Sequence, residues 1–385
     1  MAKFAFYYFN SNRDIGHAVH LLRIISGLRG RGSNKDDILL FCASAAGYPF
    51  DDLRRRARVV VLPPFKKEFL KKRQAIMRSE LRRLGPCSLV TEFFPFGRLE
   101  CAPEINKLLA YAREKKIKIA ASVPLPYLAH PRGRLGELFE AAVFYDKILV
   151  HCPRGADLRF MARHIVRERR LSCGEFLEAF LKLGEKVVFT GYVLPPGHEK
   201  LKPRPRGFIL VQRGGGSTSP RVITCAIRAK KLLPAGLKMK ICAGPASGAA
   251  RMRRWTALIK KLGLKNISLE KSSPDLFSLI GSSAVCAGTA GGSVYEMLYF
   301  KKPAVLIPYK GSPLREHSDQ SARAEFLRDY CGAAVLDYDT LTPEGLAVEI
   351  KRAMAGPPET DSKPVPQNWF NGLENTLNYL LPCKK

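Results

Sequence analysis

The sequence has 385 residues, of which 46% are hydrophobic, enough for two or three domains that each bury a full core. This composition excludes a largely disordered chain, because disordered segments bury too little apolar surface to fold. The formal net charge of +30 divides as +16 over residues 1–200 and +14 over residues 201–385. A folded body this basic is expected to attract nucleotide phosphates, anionic lipid or nucleic acid, unless the charge only keeps the surface solvated.

The ten cysteines form no C-x-x-C pair, and no histidine stands near them at zinc-finger spacing. Several lie in apolar runs, for example Cys42 and Cys242, where cysteine serves as a small hydrophobic residue. The opening segment MAKFAFYYFN lacks signal-peptide character, and no run of about 18 apolar residues occurs. We therefore expect free thiols, no bound metal and a cytoplasmic location.

Short β-rich runs alternate with helix-period segments through the first half of the chain, as in the helix predicted over His17–Leu28. This alternation predicts a parallel sheet with right-handed crossovers. The predicted strands are Lys3–Phe9, Asp37–Cys42, Val59–Leu62, Ser88–Glu92, Lys118–Ser122, Lys147–His151 and Val187–Thr190.

Residues 54–83 hold twelve Lys or Arg and only two acidic residues. A basic amphipathic surface of this kind suits an anionic membrane interface, and a solvated surface helix is the alternative. The apolar residues interleaved with the charges are Phe65, Phe69, Leu70, Ile76, Met77, Leu81 and Leu84.

The segment 194–207 is rich in proline and poor in apolar residues, so it is predicted to link residues 1–193 to a second domain, 208–366. We expect two doubly wound, Rossmann-like α/β domains facing across a cleft, with ligands at the carboxyl ends of the strands. The strands predicted for the second domain are Phe208–Gln212, Lys238–Ala243, Ile267–Glu270, Ala284–Ala287, Ala304–Pro308 and Ala334–Leu336.

The first motif follows the strand Phe208–Gln212 directly. Its glycines let the backbone approach a phosphate, and the N–H groups that begin the next helix point toward that phosphate. A tight turn is the alternative, since the segment matches neither the P-loop nor the dinucleotide fingerprint. The candidate binding residues are Gly214, Gly215, Gly216, Ser217 and Thr218.

The second motif joins the strand that ends at Ala287 to a helix that begins near Ser293. Three glycines and no bulky side chain indicate a backbone pressed against a ligand. Glu296 would lie one turn into the helix, where it could accept hydrogen bonds from ribose hydroxyls or simply favour the helix dipole. The candidate residues are Gly288, Thr289, Ala290, Gly291, Gly292, Ser293 and Glu296.

The third motif opens a helix after the strand Ala304–Pro308, within the segment SDQSARAEFL. Asp319 and Gln320 stand at the helix start. They could bond sugar hydroxyls or cap the helix.

In this order the motifs resemble the nucleotide-sugar half of GT-B glycosyltransferases, above all the family of the N-acetylglucosaminyltransferase of peptidoglycan lipid-intermediate synthesis. The segment TEFFPFGR at Thr91–Arg98 is similar to that of a group of predicted glycosyltransferases in the same superfamily. The resemblance implies a GT-B fold whose last segment, 367–385, forms a helix that packs back on the N-terminal domain.

The resemblance also implies roles for the candidate residues. Gly214–Ser217 and Gly288–Gly292 would hold a diphosphate, Glu296 the ribose, and Asp319 and Gln320 the donor sugar. The N-terminal half would bind the acceptor and supply the base.

The family has a G-x-G-H turn after its first strand, and this sequence has Gly16 and His17 but Asp14 where the first glycine belongs. With an unperturbed pKa of about 6.5, His17 is a candidate general base, and Asp14 is its rival. A helix-terminal histidine without a catalytic role is the alternative. Gly16 is assigned to acceptor binding.

Glu92 ends a predicted strand beside four residues that include three phenylalanines, Phe93–Phe96. A carboxylate there suits acceptor binding or base catalysis. Arg98 could bind an acceptor phosphate. The alternatives are that the phenylalanines belong to the hydrophobic core and that Arg98 is a surface charge without a binding role.

These features and the resemblance together predict a transferase that moves a hexose-type sugar, such as an N-acetylhexosamine, from a nucleoside-diphosphate sugar to an acceptor hydroxyl. Backbone N–H groups can stabilise the leaving diphosphate, so we expect no metal and no cofactor beyond the substrate. The resemblance implies inversion and a lipid-linked acceptor at the inner membrane face. A GT-B-shaped nucleotide-sugar epimerase or hydrolase is the alternative; a nucleic-acid-binding protein is disfavoured, because no matching signature occurs.

Overall fold

The computed structural model describes residues 2–9, 15–43, 47–124, 135–154, 173–202, 207–215, 218–309, 319–356 and 363–381. The chain divides into two compact units: Met1–Pro196 with Gln367–Lys385, and Gly197–Pro366. Within the predicted linker, Leu194 belongs to the first unit and is fully buried, while residues 203–206 lie outside the described part.

The first unit is built on a seven-stranded parallel sheet in the order β3-β2-β1-β4-β5-β6-β7. Strands β1 and β2 are buried along their whole length, which explains why their sequences are continuous apolar runs instead of alternating patterns. The strands are β1 (Phe4–Tyr8), β2 (Ile38–Cys42), β3 (Arg58–Val61), β4 (Ser88–Glu92), β5 (Lys118–Val123), β6 (Lys147–Val150) and β7 (Val187–Phe189).

Among the described residues, six helices of the first unit precede the second unit in the chain. The buried side chains of the first helix, such as Leu21 and Ile25, pack on β1 and β2 in one core. The helices are α1 (Ile15–Gly30), α2 (Phe50–Arg56), α3 (Leu70–Leu84), α4 (Ala102–Glu114), α5 (Leu135–Ala142) and α6 (Cys173–Lys182).

The second unit has a six-stranded parallel sheet in the order β10-β9-β8-β11-β12-β13, so both units show the predicted doubly wound α/β architecture. Its strands are β8 (Phe208–Gln212), β9 (Lys238–Cys242), β10 (Ile267–Glu270), β11 (Val285–Gly288), β12 (Ala304–Leu306) and β13 (Ala334–Val335). Its helices are α7 (Pro220–Ala229), α8 (Ala249–Lys261), α9 (Leu276–Ser282), α10 (Val294–Tyr299), α11 (Asp319–Cys331) and α12 (Pro343–Met354).

The last helix, α13 (Gly372–Leu380), belongs to the first unit. Its side chains Leu373, Leu377 and Leu380 join the core formed by β1, β2 and α1. The contact is close at Gly27 of α1, where an added Cβ would press on the Leu373 and Leu377 methyl groups. The chain end therefore completes the core of the unit in which the chain begins.

Helix α3 carries six of the twelve basic residues of the segment 54–83, and one apolar face of this helix is buried. Met77, Leu81 and Leu84 are buried, as is Arg73, whose Nε donates to Glu104 Oε2 over 2.5 Å. The fully exposed residues of this helix include cations and no large apolar side chain, while Leu70 and Ile76 are half-buried. Its exposed basic residues are Lys71, Lys72, Arg78, Arg82 and Arg83. Among the described residues, no helix combines the length and apolarity needed to span a membrane.

Candidate active site

The two glycine-rich turns of the second unit begin side by side, where the strand order of its sheet reverses between β8 and β11. Gly288 is the last residue of β11, one residue beyond the predicted strand end, and it pairs with Gln212 of β8. Its φ is +142°, and a Cβ there would collide with the Gln212 carbonyl oxygen. Thr289 N donates to the same carbonyl over 3.1 Å, and Gln212 Nε2 donates to Ser293 Oγ over 2.5 Å. The two turns are thus held together by backbone and side-chain contacts at the switch point of the sheet, the place where open α/β sheets generally bind ligands.

The first turn begins with Gly214, whose φ of +79° favours glycine, and Thr218 is exposed near its end. Gly215 is half-buried, and the candidates Gly216 and Ser217 lie outside the described residues. Gly214 therefore has a backbone conformation that favours glycine and Thr218 is accessible to solvent, while phosphate binding at this turn stays a prediction.

Arg213, between β8 and this turn, was not among the sequence candidates. It is 3% exposed, and its guanidinium donates to Ala243 O over 2.6 Å, to Ser247 Oγ over 2.9 Å and to Thr218 O. The side chain therefore ties the beginning of the first turn to its end and to the loop after β9. Only its position beside the glycines could have marked it in the sequence.

The second turn offers open backbone at Gly291 and Gly292, where an added Cβ would meet no atom within 4 Å. Ala290 is buried, and its carbonyl accepts a hydrogen bond of 2.8 Å from Arg323 Nε on α11. Arg323 also pairs with Asp319. It therefore links the second glycine-rich turn to the N-terminal end of α11.

Glu296 lies one turn into α10, as predicted, and is 3% exposed. A carboxylate that only favours a helix dipole would be expected at the surface, where its hydration is kept. Burial next to the paired glycine turns therefore favours a role in the site.

Asp319 and Gln320 begin α11, and their observed contacts are within the protein. Gln320 Oε1 accepts from Tyr309 N over 3.1 Å, which ties the helix to the chain that follows β12. Asp319 pairs with Arg323, four residues along the helix, and is partly exposed. These contacts position both residues at the carboxyl edge of the sheet.

In the first unit, the strand order reverses between β1 and β4, and the site there joins α1 to the end of β4. His17 Nδ1 and Glu92 Oε1 are hydrogen-bonded. Glu92 is fully buried, its Oε2 has no hydrogen-bond partner among the described residues, and the side chain of His17 is 27% exposed. An ionised Glu92 requires the proton on Nδ1, which places the basic lone pair of the imidazole on Nε2.

Two other predicted residues lie near His17 in the chain. Gly16 is exposed, with open space around its Cα. Asp14, the rival base, lies outside the described residues.

The segment Thr91–Arg98 folds into a loop whose phenylalanines are mainly core. Phe94 and Phe96 are fully buried, and the Phe93 ring lies 5.0 Å from that of His17. Arg98 is half-buried, has a φ of +66° and lies over the Phe9 ring at 5.8 Å. Arg98 is therefore held against the domain and is not a freely solvated surface charge.

A buried polar cluster behind His17 was also not predicted. The ring of His20, one helical turn after His17, lies 4.4 Å from that of His151. His151 is hydrogen-bonded through Nε2 to Ser122 Oγ at 3.0 Å and through Nδ1 to Thr190 Oγ1 at 2.8 Å. Burial lowers the pKa of both histidines, that of His151 to about 3. The i, i+3 spacing of His17 and His20 was the one signal in the sequence.

The chain contains one Asp-x-Asp pair, Asp337 and Asp339, which follows β13. Asp337 Oδ1 accepts from the backbone N of Asp339 over 2.8 Å, so it forms a local turn. Among the described residues, no three His, Cys, Asp or Glu side chains are grouped as metal ligands.

Comparison with known families and structures matches residues 209–370 to the glycosyltransferase family 28 C-terminal domain. A search of curated proteins found no match. Among solved structures, Acinetobacter baumannii MurG is 16% identical with a TM-score of 0.56, covering 91% of this chain and 90% of its own.

Two further structures are similar over nearly their whole length. A UDP-glucosyltransferase from Polygonum tinctorium is 11% identical with a TM-score of 0.59, covering 99% of this chain and 98% of its own. A UDP-GlcNAc 2-epimerase from Neisseria meningitidis, bound to UDP-GlcNAc, is 11% identical with a TM-score of 0.55, and each chain is covered over 98%. At these identities, the likeness concerns the two-domain α/β fold.

Proposed function

We propose that this chain, a glycosyltransferase with the GT-B fold, transfers a hexose-type sugar from a uridine-diphosphate sugar to an acceptor hydroxyl. The observation that carries the proposal is the pairing of Gly288 with Gln212, which joins two open glycine turns beside the buried Glu296. The choice of uridine is supported by two of the similar structures, a UDP-glucosyltransferase and a UDP-GlcNAc 2-epimerase bound to UDP-GlcNAc.

The donor roles follow from the chemistry of each element. Backbone N–H groups of both turns would bind the diphosphate, and Glu296 would accept hydrogen bonds from the ribose hydroxyls. Asp319 and Gln320 would contact the transferred sugar, since Arg323 and Tyr309 hold them at the same sheet edge.

For catalysis, His17 is the general base and Glu92 the residue that orients it. The acceptor hydroxyl attacks the anomeric carbon, His17 Nε2 takes its proton, and the bond to the diphosphate oxygen breaks with the electron pair on that oxygen. Glu92 stabilises the imidazolium that forms. A single displacement of this kind inverts the anomeric configuration.

The negative charge that develops on the diphosphate would be met by backbone N–H groups without a metal ion. This is consistent with the local turn formed by Asp337, whose oxygen is engaged by backbone amides.

The acceptor side would use Gly16, which leaves open space next to His17, and Arg98, which can pair with a phosphate of a lipid-linked acceptor. Contact with an anionic membrane would be electrostatic, through the exposed cations of α3, because the apolar face of that helix is buried.

An epimerase or hydrolase is the second candidate, favoured by the similarity to the UDP-GlcNAc 2-epimerase. The two are separated by a panel of nucleotide sugars, tested first by thermal shift, because ligand binding raises the apparent stability. The stabilising donor is then incubated alone and with acceptor candidates, and its products are followed by NMR. A transferase leaves the donor intact until acceptor is added; efficient turnover of the donor alone would establish the second candidate.

A further inference from the structure

Arg213 is a buried cation that has no anionic partner among the residues the structure describes. Each acceptor of its three hydrogen bonds is neutral: the Ala243 and Thr218 carbonyls and the Ser247 hydroxyl. Burial, and repulsion from Arg251, lower the pKa of Arg213 to about 10, so the guanidinium remains protonated at neutral pH.

The other buried arginines of the described chain are paired differently. Arg73 is bound by the Glu104 carboxylate, and Arg323 by that of Asp319. Burial of an ion without a counter-charge costs several kcal/mol, and proteins normally offset that cost with an opposite charge. The chain satisfies this rule at Arg73 and Arg323 and departs from it at Arg213.

Arg213, the buried arginine without a carboxylate partner in the described part of the chain, lies beside the glycine-rich turn that is assigned to the diphosphate. Arg213 bonds to Thr218 O at the far end of the turn and to Ala243 O in the loop after β9. The two loops are in close contact, since a Cβ on Gly244 would collide with the Gly214 carbonyl oxygen. The positive charge is therefore held at the base of the turn, within the sheet edge where both glycine turns begin.

We propose that the missing counter-ion of Arg213 is the diphosphate of the donor, and that Arg213 is the positioning residue that makes this turn selective for diphosphates. The inference rests on the proposed function. When the bond between the anomeric carbon and the diphosphate oxygen breaks, the electron pair stays on the diphosphate. The added negative charge is favoured by a cation that the protein already holds in place.

The test compares ligands that differ only in phosphate charge. Binding of uridine, UMP, UDP and inorganic pyrophosphate is measured by calorimetry, with competition for weak ligands, on the wild type, R213K and R213Q. We expect R213Q to lose UDP and pyrophosphate affinity by about tenfold or more, with uridine affinity changed less than about twofold. R213K, which keeps the charge, should restore most of the preference for UDP over uridine. The matched control is R254Q, which removes an exposed charge on α8.

The outcomes separate this inference from the proposed function. Equal losses of uridine and UDP affinity in R213Q would show a purely structural role and overturn the inference. If R213Q does not fold, the R213K variant provides the test. Loss of the preference for UDP over uridine in R213K, although the positive charge is retained, would overturn the inference. A wild type that binds pyrophosphate through Arg213 but not UDP would contradict the uridine donor while supporting the charge role. A wild type that binds neither would contradict both.

Discussion

His17 and Glu92 share a hydrogen bond although 75 positions separate them in the chain. The bond joins the start of α1 to the end of β4, which lie together because β1 and β4 are neighbours in the sheet. A buried carboxylate that holds a partly exposed imidazole is an arrangement suited to proton abstraction.

Loss of this pair should slow sugar transfer without weakening donor binding. We expect His17→Ala to lower kcat by about 10²- to 10⁴-fold, because the acceptor hydroxyl loses its base. Glu92→Gln should lower kcat by about tenfold or more, because the imidazolium loses its stabilising charge. Initial rates give kcat, calorimetry gives the donor Kd, and His198→Ala in the second unit is the control. Unchanged kcat in His17→Ala would remove this residue from the mechanism.

Removal of the Glu296 carboxylate should weaken donor binding. Glu296→Ala is expected to raise the Kd for the UDP-sugar by about 10- to 100-fold, since a charged hydrogen-bond acceptor for the ribose is lost. The matched control is Glu270→Ala, which removes an exposed carboxylate at the end of β10. Undiminished donor affinity in the Glu296 variant would exclude the ribose role.

Substitution of Gly288 and of Gly292 in the second glycine-rich turn should distinguish an effect on protein stability from an effect on ligand binding. Gly288→Ala forces a Cβ onto the Gln212 carbonyl, so the free energy of unfolding should fall by more than about 2 kcal/mol. Gly292→Ala meets no protein atom and should leave stability within about 0.5 kcal/mol. If the backbone there contacts the diphosphate, the Gly292 variant should still lose UDP affinity. Urea unfolding and calorimetry measure the two quantities, and wild-type UDP binding by Gly292→Ala would argue against that contact.

The buried histidines should make the first unit sensitive to acid. The folded pKa of His151 is about 3, and that of His20 is also well below its usual value. His20 is only half-buried as a residue, but both of its ring nitrogens are shielded from solvent. Below about pH 6.5 the unfolded chain therefore binds protons that the folded chain does not.

The free energy of unfolding should then decrease as the pH falls from about 6.5 towards 3, by up to about 1.4 kcal/mol per pH unit for each histidine. His20→Phe should reduce that slope. Urea midpoints measured at several pH values give the slope, and an equal slope in the variant would show that His20 stays uncharged in both states or is protonated in both.

The exposed cations of α3 should bind anionic vesicles in a salt-dependent manner. We expect the protein to sediment with phosphatidylglycerol vesicles at low salt and less so at high salt, because exposed charges are screened. Lys71→Glu with Lys72→Glu should weaken this binding. The matched control, Lys260→Glu with Lys261→Glu, changes the same charge on α8. Equal losses in both pairs would indicate a general effect of net charge.

Much of the architecture could be predicted, because strands, helices and turns depend on local patterns. The positions of the strands followed from short apolar runs, with most predicted boundaries within one residue of the observed ones, and the glycine turns followed from their position after β8 and β11. Strand β11 ends one residue later than predicted for a tertiary reason, because Gly288 pairs with Gln212 and Leu306.

The sequence by itself determined the doubly wound α/β class and the residues that could bind a nucleotide sugar. Both depend on hydrophobic periodicity and on the positions of glycines, which are local features of the sequence. Only the tertiary structure decided which candidates meet. Strand order brought Glu92 to His17, helix packing hid the apolar face of α3, and loop packing enclosed Arg213 among neutral oxygens. These outcomes depend on contacts between distant segments, and a side chain's burial and charge environment are properties of those contacts.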